Sequence, residues 1–250
     1  MKISSKKKKE NREAIIRAAV DLITEKGFKA ATMRAMARQA GLGDATIYNY
    51  FPTKESILFA YYEDKFSQAG ESLFAIAGFE EYIFQEKLQE LFETCLEVFL
   101  ADREFVQETF RLVFYPVTPY KDLQRIMSHF LICLDSIFEA AIEADEIEEP
   151  PFRDLTNHFF WDYFVGIVFY WQKDTSEHFS DTTELINKTM DLACAVLKAG
   201  VVNKVFDIIS FLFRNHIVSR LQSFQGGIDA FSQIKREFMD QVNERPDTGK

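Results

Sequence analysis

Apolar residues recur along this chain at helical intervals almost from end to end. Ile15, Ala18, Ala19, Leu22 and Ile23 form a first stripe, which predicts a helix over 10–26 closed by Gly27, with Phe28 packed under the turn. A second, shorter helix follows from Thr32, whose hydroxyl suits an N-cap, with Met36, Ala37 and Ala40 on one face. Gly41 stops it and Leu42 plugs back into the core. A third helix is expected from Gly43-Asp44 to Phe51, with Ile47 and Phe51 inward, Asp44 at the positive end of its dipole and Pro52 ending it. Helix, glycine turn and short exposed helix make a helix-turn-helix, although any helical hairpin that merely packs can share that pattern.

A fourth helix from residue 54 to 69 or beyond carries Ile57, Leu58, Tyr61, Tyr62 and Phe66. Further helices are predicted over 85–101, 104–115, 120–144, 152–173, 182–199, 201–224 and 228–243, with Pro116, Pro119, the acidic 145–149 stretch before Pro150-Pro151, and Gly226-Gly227 as breaks. Strand alternation, hairpin dipeptides and phosphate-binding glycine loops are all absent from the pattern. The expected fold is all-α with ten or eleven helices. Its divisions are a disordered basic arm over 1–9, a three-helix head over 10–64, a helical body over 65–243 and a frayed tail over 244–250.

Composition sharpens this picture. Of 250 residues 47% are hydrophobic, and 26 Phe exceed 18 Leu, so the interior is unusually aromatic. The net charge of −10 is unevenly spread: residues 1–60 hold 12 basic and 6 acidic side chains, residues 61–250 hold 17 and 33. A basic head on an acidic body suits a nucleic-acid reader joined to a domain that does not bind DNA. Lys6–Lys9 would reach phosphates or simply stay solvated. Three scattered cysteines, Cys95, Cys133 and Cys194, argue against a disulfide framework and for a reduced, cytoplasmic setting. No apolar stretch behind the N-terminus suggests a signal peptide, and the run over 159–171, broken by Asp162, is too short for a membrane span.

The block TMRAMARQAGLGDATIYNYFPTKESIL, residues 32–58, resembles the DNA-binding domain of TetR-family transcriptional regulators, with Thr32, Ala37, Ala40-Gly41, Thr46, Tyr48, Phe51, Lys54, Glu55 and Ile57-Leu58 at matching positions. Gly43 and Ala45 depart from it, since the family usually has a small hydroxyl residue and a glycine there. The resemblance implies that Arg34 touches DNA, that Thr46, Tyr48, Asn49 and Tyr50 face the major groove, and that Lys54 grips phosphate. Thr32, Gly43 and Asp44 complete the expected DNA-facing set. Chemically, Asn bridges adenine N6 and N7, a Thr methyl meets thymine, and Asp44 accepts from cytosine N4; partial burial is the alternative for Tyr48.

The resemblance further implies a homodimer built on two late helices and a body that senses a small effector. Helices 152–173 and 182–199 occupy the matching place. The interface candidates are Phe160, Tyr163, Phe164, Ile167, Tyr170 and Trp171 on one, with Ile186, Met190, Ala193 and Leu197 on the other, and Gly166 permits close crossing. An apolar effector would sit among Phe105, Phe110, Phe114, Phe130, Cys133 and Phe159, with His129 and His158 as polar handles. Both groups also fit a plain core. Neither a zinc-protease histidine spacing nor a nucleophile elbow occurs, and His158 with Asp162 reads as a hydrogen-bonded pair rather than a metal site. The expectation is therefore a ligand-responsive repressor without catalysis, metal or cofactor. The alternative is a helical ligand-binding or scaffolding protein whose helix-turn-helix only packs. Exposure of Thr46, Asn49 and Lys54 separates the two.

Overall fold

The structure is a computed structural model and describes residues 4–115, 121–200 and 204. Helices expected over 201–224 and 228–243, the tail over 244–250, and Pro116 and Pro119 lie outside the described residues. The chain divides into a compact unit ending at Ala199 and a second beginning at Gly200. All eight α-helices of the described residues belong to the first unit, against the ten or eleven expected for the whole chain.

Helix α1 spans Ser5–Ala30 and begins earlier than its apolar stripe does. The Ser4 hydroxyl caps it by accepting from the Lys7 backbone N–H at 3.2 Å. Lys6–Lys9 thus form helical turns instead of a disordered arm, with Lys7–Glu10 and Lys9–Glu13 contacts at 3.4 and 3.9 Å along the surface. Near its other end Gly27 takes φ +78°, a conformation that glycine adopts without strain, and the chain kinks there. Helices α2 (Met33–Gln39) and α3 (Lys54–Phe74) flank a single 3-10 turn, Ile47–Asn49. Helix α3 runs unbroken through residue 64, so one rigid rod carries both head and body contacts.

The body adds α4 (Phe84–Leu100), α5 (Arg103–Phe114), α6 (Lys121–Glu143), α7 (Arg153–Trp171) and α8 (Ser180–Lys198). Its centre is aromatic. The Phe66 ring lies 5.6–6.5 Å from Phe99, Phe114, Phe130, Trp161 and Phe164, mostly edge to face, the geometry that ring quadrupoles favour. Trp161 is itself within 5.5–6.3 Å of Phe114, Phe130 and Phe164.

Two polar devices fix the body's corners. Arg103 Nη2 donates to the carbonyls of Trp171, Gln172 and Asp174 at 2.9–3.0 Å, neutralising the C-terminal end of α7. Asp174 in turn accepts from the backbone N–H and hydroxyl of both Ser176 and Thr182 at 2.6–2.9 Å, which caps α8. Between them His178 and Phe179 hold left-handed φ values of 53° and 57°, a local strain that this clamp sustains.

Candidate nucleic-acid interface

The head presents its recognition segment through packing rather than through a full helix. Thr32 caps α2 by accepting from Ala35 N–H at 3.2 Å, and Gly41 turns the chain at φ +70°. Leu42 N–H then donates to Ala37 carbonyl at 2.8 Å, closing the helix end. Beyond it Thr46 donates to Gly43, Asn49 to Thr46 and Tyr50 to Ile47, at 2.8–3.1 Å, all i→i+3 bonds. The expected α-helix over 43–51 is therefore a tighter 3-10 turn. Gly43 offers no capping side chain, Asp44 is engaged elsewhere, and Pro52 cuts the segment short before an α-helix can propagate.

Ile47 and Phe51 anchor this turn, 0% and 5% exposed, beside Met36 and Ala37. Tyr48, 55% exposed, and Asn49 point to solvent, and Thr46 is half-buried. Tyr50 instead turns back, its hydroxyl accepting from Asn11 Nδ2 at 2.9 Å and tying the turn to α1. Lys54 also departs from expectation. Its ammonium donates to the carbonyls of Phe28 and Ala31, the latter at 2.8 Å, and sits 4.1 Å over the Phe28 ring. It closes the α1–α2 junction rather than standing free for phosphate, and burial lowers its pKa. Asp44 pairs with Arg34 Nε and Arg38 Nη2, both at 3.2 Å. Helical periodicity carries no sign of the Asn11–Tyr50 bond, whereas Arg38, one turn after Arg34, shares the face of α2 that meets Asp44.

The sequence matches two family models, "Bacterial regulatory proteins, tetR family" over residues 15–61 and "Tetracyclin repressor-like, C-terminal domain" over residues 87–212. The second alone spans half the chain. This protein belongs to the TetR family. Among its relatives, the "Fatty acid metabolism regulator protein" of Bacillus subtilis (strain 168) is 27% identical over 200 residues, covering 80% of this chain and all of that protein. The "HTH-type transcriptional repressor KstR" of Rhodococcus jostii (strain RHA1) is 39% identical over 56 residues, 22% of this chain and 26% of that one. The crystal structure of FadR from Bacillus subtilis in complex with stearoyl-CoA superposes with a TM-score of 0.55 at 25% identity, covering 72% of this chain and 96% of that chain. FadR of Thermus thermophilus in complex with lauroyl-CoA shares the fold at 19% identity and a TM-score of 0.57, covering 72% and 92%.

Within this TetR-family body the expected effector set divides. Phe105, Phe110, Phe114 and Phe130 are buried among other rings, and Cys133 is buried as well, which raises its thiol to about 11. His129 is half-buried. Phe159, 65% exposed, and His158 face outward on α7, so they do not line the interior with the others. His158 Nδ1 contacts the Asp154 carbonyl at 2.7 Å, not Asp162. Among the described residues no group of three or more His, Cys, Asp or Glu could hold a metal ion, and no helix is long and apolar enough to cross a membrane.

The expected dimer set divides too. Phe160, Phe164, Ile167, Trp171, Ile186 and Met190 are at most 2% exposed and belong to the core, out of a partner's reach. Tyr163 is half-buried, its hydroxyl bonded to Thr189, and Ala193 and Leu197 are also half-buried. Tyr170 is open to solvent, and the outward apolar positions of α7 are Leu155, Phe159 and Tyr170, with exposed Gly166 between the last two. A helix apolar all round does not reveal which side faces the core, and this one buries most of the residues expected at the interface while leaving Tyr170 exposed.

Proposed function

We propose that this TetR-family protein is a homodimeric transcriptional repressor that reads an inverted-repeat operator and is released by a long-chain acyl thioester. The observation that carries the DNA reading is the outward presentation of Tyr48 and Asn49 from a turn anchored by Ile47 and Phe51. Lys54 and Tyr50, turned inward, and Thr46, half-buried, are what a merely packing hairpin would show. A hairpin of that kind has no reason to leave Tyr48 and Asn49 in water, with Arg34 and Arg38 exposed as well.

One head contacts a half-site, so two heads must be held together about a helical turn, or a multiple of it, apart. Leu155, Phe159 and Tyr170 on α7, with Leu192 on α8, offer the apolar surface for that pairing, and Gly166 adds no side chain to keep a crossing helix away. The effector class rests on the Bacillus subtilis relative bound to stearoyl-CoA and on an aromatic interior that suits an acyl chain.

Selection of duplexes from a random-sequence library, followed by titration across salt, tests the reading. Expected are an inverted repeat, steep salt dependence, loss on Asn49→Ala, and release by stearoyl-CoA but not by free coenzyme A. Weak binding equal on all sequences and indifferent to Asn49→Ala would transfer the protein to the helical scaffolds.

A further inference from the structure

The exposed face of the recognition segment carries a carboxylate, which is an electrostatic contradiction on a surface meant to approach phosphates. Asp44 accepts from Arg38 Nε at 3.3 Å and Nη2 at 3.2 Å, and Arg34 Nε lies 3.2 Å from the same carboxylate. The side chains of Arg34, Arg38 and Asp44 remain 72%, 70% and 41% exposed. Ion pairs this open contribute little to stability. The cluster is therefore no brace for the fold, which Ile47, Phe51 and Met36 already secure from the other side. Its members are free to exchange partners at small cost.

We propose that Asp44 is a specificity gate: it holds Arg34 and Arg38 away from phosphates until a cytosine in the operator engages it. This rests on the reading of the head as a DNA reader. On an arbitrary duplex the arginines face a choice between Asp44 and phosphate, so each backbone contact must first break an ion pair. Asp44 itself is repelled by the backbone. On the operator a cytosine N4 amine donates to the carboxylate; unlike adenine N6, which lies beside the N7 acceptor, it has no acceptor next to it on its own base. Asp44 is then satisfied by the base, and both guanidinium groups turn to phosphate. Sequence-independent binding is weakened while operator binding is not, so discrimination comes partly from a repulsive element.

Asp44→Asn, Asp44→Ala and the double variant Asp44→Asn/Arg38→Gln test this by fluorescence anisotropy. The probes are the duplex selected by the wild-type protein and a shuffled duplex of equal length, each across salt. The gate predicts that Asp44→Asn binds the shuffled duplex about tenfold tighter, with a salt slope steeper by about 0.9 per freed arginine, and the selected duplex little changed. Asp44→Ala, put through the same library selection, loses its cytosine preference at one position of each half-site. Arg38→Gln in the double variant removes the share of the gain on shuffled DNA that Arg38 supplies and leaves that of Arg34. An equal gain on both duplexes, no gain on either, or a gain that Arg38→Gln does not diminish overturns the gate. A wild-type protein that shows no sequence preference at all overturns the DNA reading instead, so the two failures are distinct.

Discussion

The Tyr61 hydroxyl donates to Asp102 Oδ2 at 3.0 Å, joining the rod that leaves the reading head to the corner between α4 and α5. Lys65, one turn along α3, reaches the same carboxylate at 2.9 Å and the Val98 carbonyl at 2.8 Å. Burial, and then the charge on Asp102, holds the Tyr61 phenol far above its ordinary range, so it remains a donor at every working pH. Asp102→Ala leaves a largely buried ammonium and a phenol without their partner, at a cost of about 1–3 kcal/mol. Urea unfolding measures that loss. Because the pair ties head to body, the same variant should also need more stearoyl-CoA to release DNA, read by anisotropy.

Lys54→Met separates structure from recognition. The variant gives up two hydrogen bonds to carbonyls and the contact with Phe28, about 1–2 kcal/mol, and this should appear in thermal unfolding. Its salt slope for DNA should shift far less than the about 0.9 that a lost phosphate contact removes. A slope lower by a full unit would return Lys54 to the DNA backbone.

Asp174 makes acid stability predictable in sign. Burial alone would raise its pKa, but the hydroxyl and backbone donors of Ser176 and Thr182 outweigh burial and bring it from 3.8 down to about 2. A carboxylate depressed on folding contributes in full above its unfolded value near pH 4 and loses that contribution as pH falls towards 2. Asp174→Ala should therefore be less stable than wild type at pH 7 by about 1–2 kcal/mol, as for a lost helix cap, with the gap closing between pH 4 and 2. A gap that widens on acidification would contradict the assignment.

Outward and inward positions on α7 should fail differently. Phe159→Glu or Leu155→Glu places charge on exposed apolar surface, and sedimentation velocity should then report folded monomers. Phe160→Glu buries a charge at a position 2% exposed beside Phe138, and circular dichroism should show unfolding instead. A folded dimer from both outward variants would move the interface off this face.

Helix existence was legible because Ile15, Ala19 and Leu22, or Leu88, Phe92 and Cys95, keep helical spacing and bury the side that the spacing indicates. The recognition turn was legible in place but not in form: the difference between i→i+3 and i→i+4 bonding over 43–51 depends on the absence of a cap at Gly43 and on Pro52, not on periodicity. Lys54 and Tyr50 turn inward although a polar side chain in a DNA-binding segment reads as outward, because the Phe28 and Ala31 carbonyls and the Asn11 amide that bond them lie 23 to 39 residues away in sequence. On α7 the pattern is silent, since Phe159 and Phe160 are alike to any hydropathy reading and only the packing of α6 and α8 tells them apart.

Trp161 gives the body an optical reporter. The chain has two tryptophans: Trp161 lies among Phe66, Phe114, Phe130 and Phe164, and Trp171 lies at the far corner beneath Arg103 and beside Phe179. A molecule that parts the central rings must alter the surroundings of the first indole and leave those of the second largely alone. Trp171→Phe would isolate the central emission, so that candidate effectors can be ranked by unlabelled fluorescence before any operator is known.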